Sequence, residues 1–486
     1  MEILNKEMTG KQKRAIKVVQ FGEGNFLRGF VDYMIDIANE QGKFDGDIVL
    51  IKPIEFGSLE MFHRQDCQYT VSLRGVVDGE PKVLNRQITS VADAVDAYTE
   101  YEKYMGLAEI DTLRFVVSNT TEAGIVFDNT DKFEYNPPRT FPGKLTKFLY
   151  HRFETFGGDK DKGLVMLPVE LIDDNGIMLK KCVMQLIELW GLGDAFQTWV
   201  EEACVFTSTL VDRIITGYPR DNEQEEWEKL GYEDHIMVTG EPFALWVIES
   251  AKDIRKELPL PDAGLPVIFT DNQKPYKQRK VRILNGAHTS FVLASYLCGN
   301  DIVKQSMDDE DIRSFMEKTI FEEVIPTLTL PKEELEEFAG AVVSRFNNPY
   351  VKHALLSISL NSVSKWRARC MPSLLGYVEK NHSLPKRLTF SLAALMAFYT
   401  GTEIRGKALI GHRDGQEYEI MDDRNVLEFF RDNCEKDTRT FVSAFLGEEV
   451  FFGQDLNKIE GLTEAVGAYL DDIKENGMRA ALCRIS

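Results

Sequence analysis

The chain has few cysteines, no long apolar run and no excess of positive charge. Its seven cysteines are scattered among 486 residues and form no CxxC pair, which argues against a disulfide framework and a structural zinc site. Lysine and arginine total 57 against 78 acidic residues, a net charge of −21, so neither nucleic acid nor an anionic membrane is expected as a partner.

Membrane and export signals are also missing. No run of about 18 apolar residues exists, so we expect no transmembrane helix. Residues 1–19 contain no apolar core and no small-residue cleavage site, so we expect no signal peptide. Together with the unpaired thiols, these features predict a cytoplasmic protein.

The first half of the chain alternates short apolar segments with helical patterns. The segments that predict buried strands are 15–20, 47–51, 113–118, 164–168 and 267–270. Strands of this kind separated by helices predict an α/β fold, in which a doubly wound parallel sheet carries helices on both faces.

The second half is predicted to be mainly α-helical. Helical patterns cover 280–298, 309–323, 332–346, 349–379, 385–401, 422–433, 438–447 and 461–482. The polar stretch at 272–279 marks a boundary. We therefore predict two domains, residues 1–275 and 276–486.

A glycine turn joins the first predicted strand to the first predicted helix. Gly22 and Gly24 would let the backbone approach a pyrophosphate at the helix N-terminus. The third glycine of the usual fingerprint is replaced by Leu27, and an ordinary tight turn is an equal alternative for this motif alone. The candidate cofactor-binding residues here are Phe21, Gly22, Glu23, Gly24, Asn25, Phe26 and Arg28.

Two further segments bear on a dinucleotide. The second predicted strand ends at Lys52 without an acidic residue for a ribose, so NAD and NADP are not distinguished, and Lys52 is compatible with a 2′-phosphate. The segment SNTTEAGI at 118–125 follows a central strand where a nicotinamide would rest, which makes Thr121 and Glu122 cofactor candidates. A helix N-cap at Ser118 or Thr121 is the alternative interpretation.

The segment KVRILNGAHTS carries the candidate chemistry. On an α-helix of ~100° per residue, Lys280, His288 and Asn285 fall at roughly 0°, 80° and 140° and share a face. Such a face suits carbonyl or alcohol chemistry, where an amine moves a proton and an amide holds the oxygen. The alternatives are a solvated helix start for Lys280, a packing amide for Asn285 and a core histidine for His288.

Proton transfer by Lys280 near neutral pH requires a lowered pKa, which burial and neighbouring cations produce. Five cations lie within nine residues of this otherwise acidic chain. They are Lys274, Lys277, Arg279, Lys280 and Arg282. A positive pocket of this kind would also attract an anionic substrate.

These motifs resemble the polyol-specific long-chain dehydrogenases, the family that includes mannitol 2-dehydrogenase and fructuronate reductase. The resemblance rests on Lys-x4-Asn-x2-His at 280–288, QFGEGNFLRGF at 20–30 and TEAG at 121–124, and it covers nearly the whole chain. It implies a Rossmann-like N-terminal domain, a helical C-terminal domain and NAD as cofactor. It further implies reversible, metal-free reduction of a small anionic sugar acid, D-tagaturonate, to D-altronate.

The resemblance also implies roles for individual residues. Lys280 becomes the acid/base group, Asn285 the oxyanion donor and His288 a substrate-orienting partner, while Asp212 and Lys365 match positions that line the pocket in relatives. Mannitol dehydrogenases carry an asparagine where this chain has Leu171, so either Asn175 substitutes or Asn285 acts alone, and Glu170 is a possible acidic neighbour of Lys280. The candidates for binding the substrate carboxylate are Arg213, Arg220 and Lys365.

Two kinds of alternative remain open. Within the enzyme class, the substrate is instead fructuronate (giving mannonate) or a neutral polyol of the mannitol type. Outside it, the protein is a dinucleotide-binding sensor without catalysis, which the lysine, asparagine and histidine together disfavour.

Overall fold

The protein is described by a computed structural model over residues 1–77, 79–121 and 123–485, and it divides into two compact units. The first unit comprises Met1–Gly75 and Lys82–Gln273, and the second comprises Val76–Pro81 and Lys274–Ser486. All seven cysteines are free thiols. Within the described ranges, no helix combines the length and apolarity needed to cross a membrane.

The strands of the first unit form three sheets. In chain order they are β1 (Ile16–Phe21), β2 (Asp47–Lys52), β3 (Tyr69–Val77), β4 (Glu80–Ile88), β5 (Val91–Asp96), β6 (Phe115–Ser118), β7 (Val165–Pro168), β8 (Val205–Phe206), β9 (Ser208–Asp212), β10 (Ile215–Gly217), β11 (Val238–Gly240), β12 (Leu245–Glu249) and β13 (Val267–Thr270).

The main sheet has six parallel strands in the order β5–β2–β1–β6–β7–β8. The order reverses between β1 and β6, which is the switch point at which doubly wound sheets bind ligands. The predicted α/β fold with a parallel sheet is therefore confirmed. Two smaller sheets, β10–β11–β3–β4 and β13–β12–β9, complete the unit.

Helices cover both faces of the main sheet. They are α1 (Lys6–Thr9), α2 (Asn25–Leu27), α3 (Tyr33–Glu40), α4 (Glu60–Arg64), α5 (Tyr101–Gly106), α6 (Phe141–Thr155), α7 (Asn175–Trp190), α8 (Asp194–Glu202) and α9 (Glu223–Leu230), with a π-helical turn at Arg28–Asp32 and short 3₁₀ turns at Leu107–Glu109, Lys160–Lys162 and Pro261–Ala263. Alternate strand residues enter two hydrophobic clusters: Val18 packs into one, and Val19 packs into the other. Burial on both faces explains why the central strands are continuously apolar.

The second unit is mainly helical, as predicted. Its helices are α10 (Lys274–Arg279), α11 (Gly286–Leu297), α12 (Val303–Asp308), α13 (Glu310–Lys318), α14 (Lys332–Phe346), α15 (Leu355–Ile358), α16 (Ser362–Arg369), α17 (Met371–Asn381), α18 (Lys386–Phe398), α19 (Arg424–Asn433), α20 (Thr438–Leu446), α21 (Glu449–Phe452), α22 (Leu462–Asn476) and α23 (Met478–Cys483), with π-helical segments at Lys280–Asn285 and Thr319–Val324 and 3₁₀ turns at Ile325–Thr327 and Leu456–Lys458. Strands β14 (Ile404–Arg405), β15 (Ala408–Arg413) and β16 (Gln416–Ile420) form a small antiparallel sheet.

Two predictions about elements need correction. The single helix predicted at 349–379 is three helices, because Asn361 adopts a left-handed conformation with φ of 53° and Pro372 starts a new helix after Cys370. The strand at 267–270 exists but pairs with β12 in a three-stranded sheet and does not join the main sheet.

Candidate active site

The glycine turn lies at the carboxyl end of β1, next to the switch point. Gly22 has a φ of 121°, and a Cβ there would lie 3.1 Å from the backbone oxygen of Asn119. A side chain is therefore excluded by both conformation and space. Gly24 precedes α2 and has open space around it. The first amides of the helix thus face an open region suited to an anion.

Beside this turn lies a mostly apolar cavity of about 580 Å³. Its lining residues are Phe26, Asn119, Thr121, Ala123, Val169 and Leu171. Thr121 has a φ of 75°, a strained conformation for a β-branched residue. Such strain is often found at functional sites. Glu122, the other candidate of this segment, lies outside the described residues.

Side chains of the glycine turn take different roles. The Phe21 ring is buried against Phe141 at 5.1 Å, so only its backbone is available to a ligand. Phe26 stacks on Phe30 at 4.9 Å and lines the cavity. Burial raises the pKa of the Glu23 carboxyl, which favours its neutral form beside a bound anion.

Arg28 is buried, and its guanidinium is engaged within the protein. Its guanidinium donates to the backbone oxygens of Glu23 and Ile236 and to Asn25 Oδ1, at 2.7 Å for the last. It also lies over the Tyr69 ring, 5.3 Å from the centroid. Arg28 and Asn25 therefore stabilise the start of the helix.

Lys52 requires a similar correction. Its side chain is fully buried, and Nζ donates to the backbone oxygens of Ile54, Glu55 and Phe56 at 2.7, 3.3 and 3.2 Å. The same nitrogen forms an ion pair with Asp96 at 3.0 Å. The ammonium holds the loop after β2 and is not a free cation for a 2′-phosphate.

Asn175 does not replace the asparagine of mannitol dehydrogenases. It is fully buried, and Nδ2 donates to the backbone oxygens of Pro168, Glu170 and Thr209 at 3.1, 3.1 and 3.2 Å. Its Oδ1 accepts from the backbone of Thr209 at 2.9 Å. The amide therefore holds the β7–α7 connection and has no proton left for a substrate.

Glu170 lies on the same connection. Its buried carboxylate accepts from Ser118 Oγ at 3.1 Å and from the backbone and hydroxyl of Thr120, each at 3.0 Å. Burial raises its pKa. Glu170 thereby fixes the loop that carries Thr121 toward the cavity.

The substrate-binding candidates in and after β9 differ in burial and in the contacts they make. Arg213 is buried, and its guanidinium donates to the backbone oxygens of Gly29, Phe243 and Pro242 at 2.7, 3.0 and 3.0 Å. This occupation excludes Arg213 as the carboxylate ligand, which corrects the prediction. Asp212 is buried at the end of β9, and Arg220 is exposed.

In the second unit, the predicted catalytic helix is longer and less regular than expected. It begins at Lys274 with α10, continues through the π-helical segment Lys280–Asn285 and ends with α11 at Leu297. Gly286 N donates to Val281 O across five residues. Because a π turn takes in more residues than an α-helical turn, Lys280 and Asn285 lie closer together around the axis than the ~140° of an α-helix. Both side chains are partly buried.

His288 lies in the first turn of α11. Its ring stacks on Phe346 at 4.2 Å and meets His353 edge-on at 5.5 Å. Its Nε2 is buried, with no hydrogen-bond partner among the described residues. Burial, followed by the charges of His353, Arg345, Arg369 and Lys365, lowers the His288 pKa well below its usual range, so the ring is neutral.

Two residues near His288 were not predicted from the sequence. His353 lies in the irregular segment before α15, and no pattern pointed to it. Arg369 lies four residues after Lys365 on α16, a spacing that was visible in SKWRAR. Within the part of the chain that the structure describes, no cluster of three potential metal ligands occurs.

Comparison with protein families gives matches over most of the chain. The model of the mannitol dehydrogenase Rossmann domain matches residues 16–262, and that of the mannitol dehydrogenase C-terminal domain matches residues 272–474. Curated relatives include the altronate oxidoreductase of Bacteroides thetaiotaomicron, 45% identical over 98% of both chains. The altronate oxidoreductase of Escherichia coli O7:K1 is 44% identical over 99% of both chains.

Solved structures share the fold at low identity. D-sorbitol dehydrogenase in a substrate-free form has a TM-score of 0.78 and 21% identity, covering 99% of this chain and 100% of its own. Pseudomonas fluorescens mannitol 2-dehydrogenase, in a ternary complex with NAD and D-mannitol, has a TM-score of 0.65 and 20% identity over 100% and 99%.

Proposed function

The chain belongs to the mannitol dehydrogenase family, and on that premise we propose that it is an NAD-dependent oxidoreductase that interconverts D-tagaturonate and D-altronate. The observation that carries the chemistry is the π turn that brings Lys280 and Asn285 closer together around the helix axis. The substrate is inferred from relatives of 44–45% identity over almost their whole length, which are named altronate oxidoreductases. It is a small anionic sugar acid.

The first unit fits a dinucleotide. Gly22 leaves the backbone open, and the first helix presents its N-terminus at the switch point of the sheet. Phe26, Asn119 and Thr121 line the adjoining cavity, where the nicotinamide half would rest. NAD, when bound, supplies the hydride in reduction and accepts it in oxidation.

The second unit supplies the acid/base chemistry. Lys280 would give its proton to the carbonyl oxygen of the sugar acid during reduction. It would take a proton from the hydroxyl group during oxidation. Asn285 donates a hydrogen bond to the same oxygen as negative charge develops. His288, held neutral by burial, orients a neighbouring hydroxyl. No step requires a metal.

We also propose that the protein is cytoplasmic and binds neither nucleic acid nor membranes. Its acidic composition and free thiols support this assignment. Exposed cations that would attract polyanions are outnumbered by acidic residues across the chain.

Replacing Lys280 tests the proton-transfer role. Lys280→Ala is expected to lower kcat for D-tagaturonate reduction by about 10²-fold or more, the usual effect of losing a general acid. Lys386→Ala, which removes an exposed lysine from the same unit, is the matched control and should retain near-normal turnover. Near wild-type activity of Lys280→Ala across the pH range would end the assignment.

A substrate panel tests the reaction itself. NADH and NADPH oxidation are measured with D-tagaturonate, D-fructuronate and D-fructose. We expect NADH with D-tagaturonate to give the highest kcat/KM. A higher kcat/KM for D-fructuronate would show that the enzyme is a fructuronate reductase. A higher kcat/KM for D-fructose would show that its substrate is a neutral polyol and not a sugar acid. Binding of NADH without turnover of any keto sugar would favour the sensor.

A further inference from the structure

Helix α16 carries two partly buried cations on one face. Lys365 and Arg369 are four residues apart, so their side chains are neighbours and their charges repel. Lys365 Nζ donates to Ile358 O at 2.9 Å, and Arg369 Nη1 donates to Thr289 Oγ1 at 3.3 Å. Both contacts are to neutral oxygens. Among the described residues, no carboxylate lies at ion-pair distance from either cation.

The acid whose charge acts on Lys365 is already engaged. Asp422 accepts from Tyr399 Oη at 2.6 Å and from the backbone of Val363 and Asp423 at 3.4 and 2.8 Å. Burial raises the pKa of this carboxyl and lowers that of the Lys365 ammonium. The described part of the chain therefore holds two adjacent positive charges at a cost in desolvation, and it pairs neither of them directly with a carboxylate.

These cations lie beside the helix that carries the proposed chemistry. A Cβ at Gly286 would lie 3.2 Å from Arg369 O, a tight contact, so α16 approaches α11 closely at this glycine. Thr289, which Arg369 contacts, donates its hydroxyl to Asn285 O at 3.0 Å. At ~1.5 Å per residue, Thr289 is about 6 Å along the axis from Asn285, a separation that spans several carbons of a sugar chain.

Four neighbouring groups, besides burial, lower the pKa of His288. The four are His353, Arg345, Arg369 and Lys365, and all are cationic or imidazole groups. The buried Nε2 of His288 also lacks a partner among the described residues. A local excess of positive charge and donors in a chain of net charge −21 is suited to an anion.

Resting on the proposed function, we infer that Arg369, assisted by Lys365, binds the carboxylate of the sugar acid. A guanidinium presents two parallel donors that match the two carboxylate oxygens, and a neighbouring ammonium adds a point charge. Arg369 would therefore select a uronate over a neutral polyol. This assignment replaces Arg213, whose donors are occupied by backbone oxygens.

The test compares a charged ligand with its neutral counterpart. Binding of D-altronate and of D-altronamide is measured by titration calorimetry in the presence of NADH, in which the alcohol cannot be oxidised. Wild-type protein is expected to prefer D-altronate by about 10- to 100-fold, the effect of one or two charge-assisted hydrogen bonds. Arg369→Met should lose most of this preference, and Arg369→Lys should keep part of it.

Arg367→Met is the matched control, because Arg367 is exposed on the same helix. It should bind both ligands as wild type does. Equal weakening of both ligands by Arg369→Met, or an unchanged preference, would overturn the inference. If Arg369→Met does not fold, full retention of the preference by Arg369→Lys overturns bidentate binding. A wild-type preference for D-altronate without D-tagaturonate turnover would instead count against the proposed function.

Discussion

Asp32, at the end of the π-helical turn Arg28–Asp32, is a buried carboxyl group outside the proposed site. Its side chain is fully buried, and Oδ2 accepts from Tyr69 Oη at 2.6 Å and Gln20 Nε2 at 3.5 Å. Its Oδ1 and the Oε1 of Gln20 are both buried without a partner among the described residues. Because both atoms are acceptors, a proton on Asp32 would supply the missing donor. Burial raises the Asp32 pKa to about 7.

This pKa predicts a specific pH dependence of stability. The folded protein holds the Asp32 proton up to about pH 7, whereas the unfolded chain loses it near the ordinary aspartate pKa of 3.8. The folded state therefore binds more protons, and the free energy of unfolding should fall by as much as ~4 kcal/mol as pH rises through this window. Asp32→Asn removes this contribution. Urea unfolding at pH 5 and pH 7.5 gives the free energy of unfolding of both proteins, and the wild type should lose more of it than Asp32→Asn as pH rises. An equal change in the two proteins would contradict the prediction.

At the scale of elements, the contact between α11 and α16 depends on Gly286. Gly286→Ala gains helix propensity, about 1 kcal/mol, but forces the Arg369 carbonyl to move from a contact of 3.2 Å. Because overpacking against backbone costs typically 1–3 kcal/mol, we expect a net loss of stability. We also expect weaker binding of D-altronate, since Arg369 moves with its helix.

Gly340→Ala is the matched control for this prediction. Gly340 is exposed in α14, and an added Cβ meets nothing within 4 Å. It should stabilise the protein by about 0.5–1 kcal/mol without changing ligand affinity. Thermal and urea unfolding with calorimetric binding measure both effects. A Gly286→Ala protein that is more stable than wild type would contradict the packing argument.

The strands and helices differ in how well the sequence predicts them. Four strands of the main sheet (β1, β2, β6 and β7) and most helices of the second unit were predicted, because apolar runs and 3.6-residue periodicity are local signals. The π turn at Lys280–Asn285 was not, because it has the same apolar pattern as an α-helix and differs only in its hydrogen bonds. Strands β3–β5 and β8–β12 were missed, and for β8, β10 and β11 the reason is that two or three residues carry no periodicity.

Residue roles were harder to predict than element types. Arg28, Lys52 and Arg213 are cations that sequence reasoning assigned to phosphates or a carboxylate. In each case the charged side chain donates hydrogen bonds to backbone oxygens. A sequence shows which charges exist but not which carbonyls lack partners, and those unsatisfied carbonyls decide where a buried cation is used.

At the scale of the whole molecule, the proposed chemistry is divided between the two units. The glycine turn and its cavity belong to the first unit, and the helices of Lys280 and Arg369 belong to the second. The proposal therefore predicts that cofactor and sugar acid protect different parts of the chain. Ligand contacts reduce local opening, and amide hydrogen exchange reports that opening segment by segment.

Hydrogen exchange on the Lys280→Ala protein separates the two ligands, because this variant is expected to bind both with greatly slowed turnover. NAD should slow exchange in the segments at 22–28 and 119–121, and D-altronate added to that complex should slow it further in Gly286–Leu297 and Ser362–Arg369. A variant with Arg369→Met added should lose only the second effect. Protection by D-altronate confined to the first unit would contradict the assignment of substrate binding to the helical unit. The π-helical segment Lys280–Asn285, α11 and α16 carry every residue to which the carboxylate and the reacting oxygen are assigned.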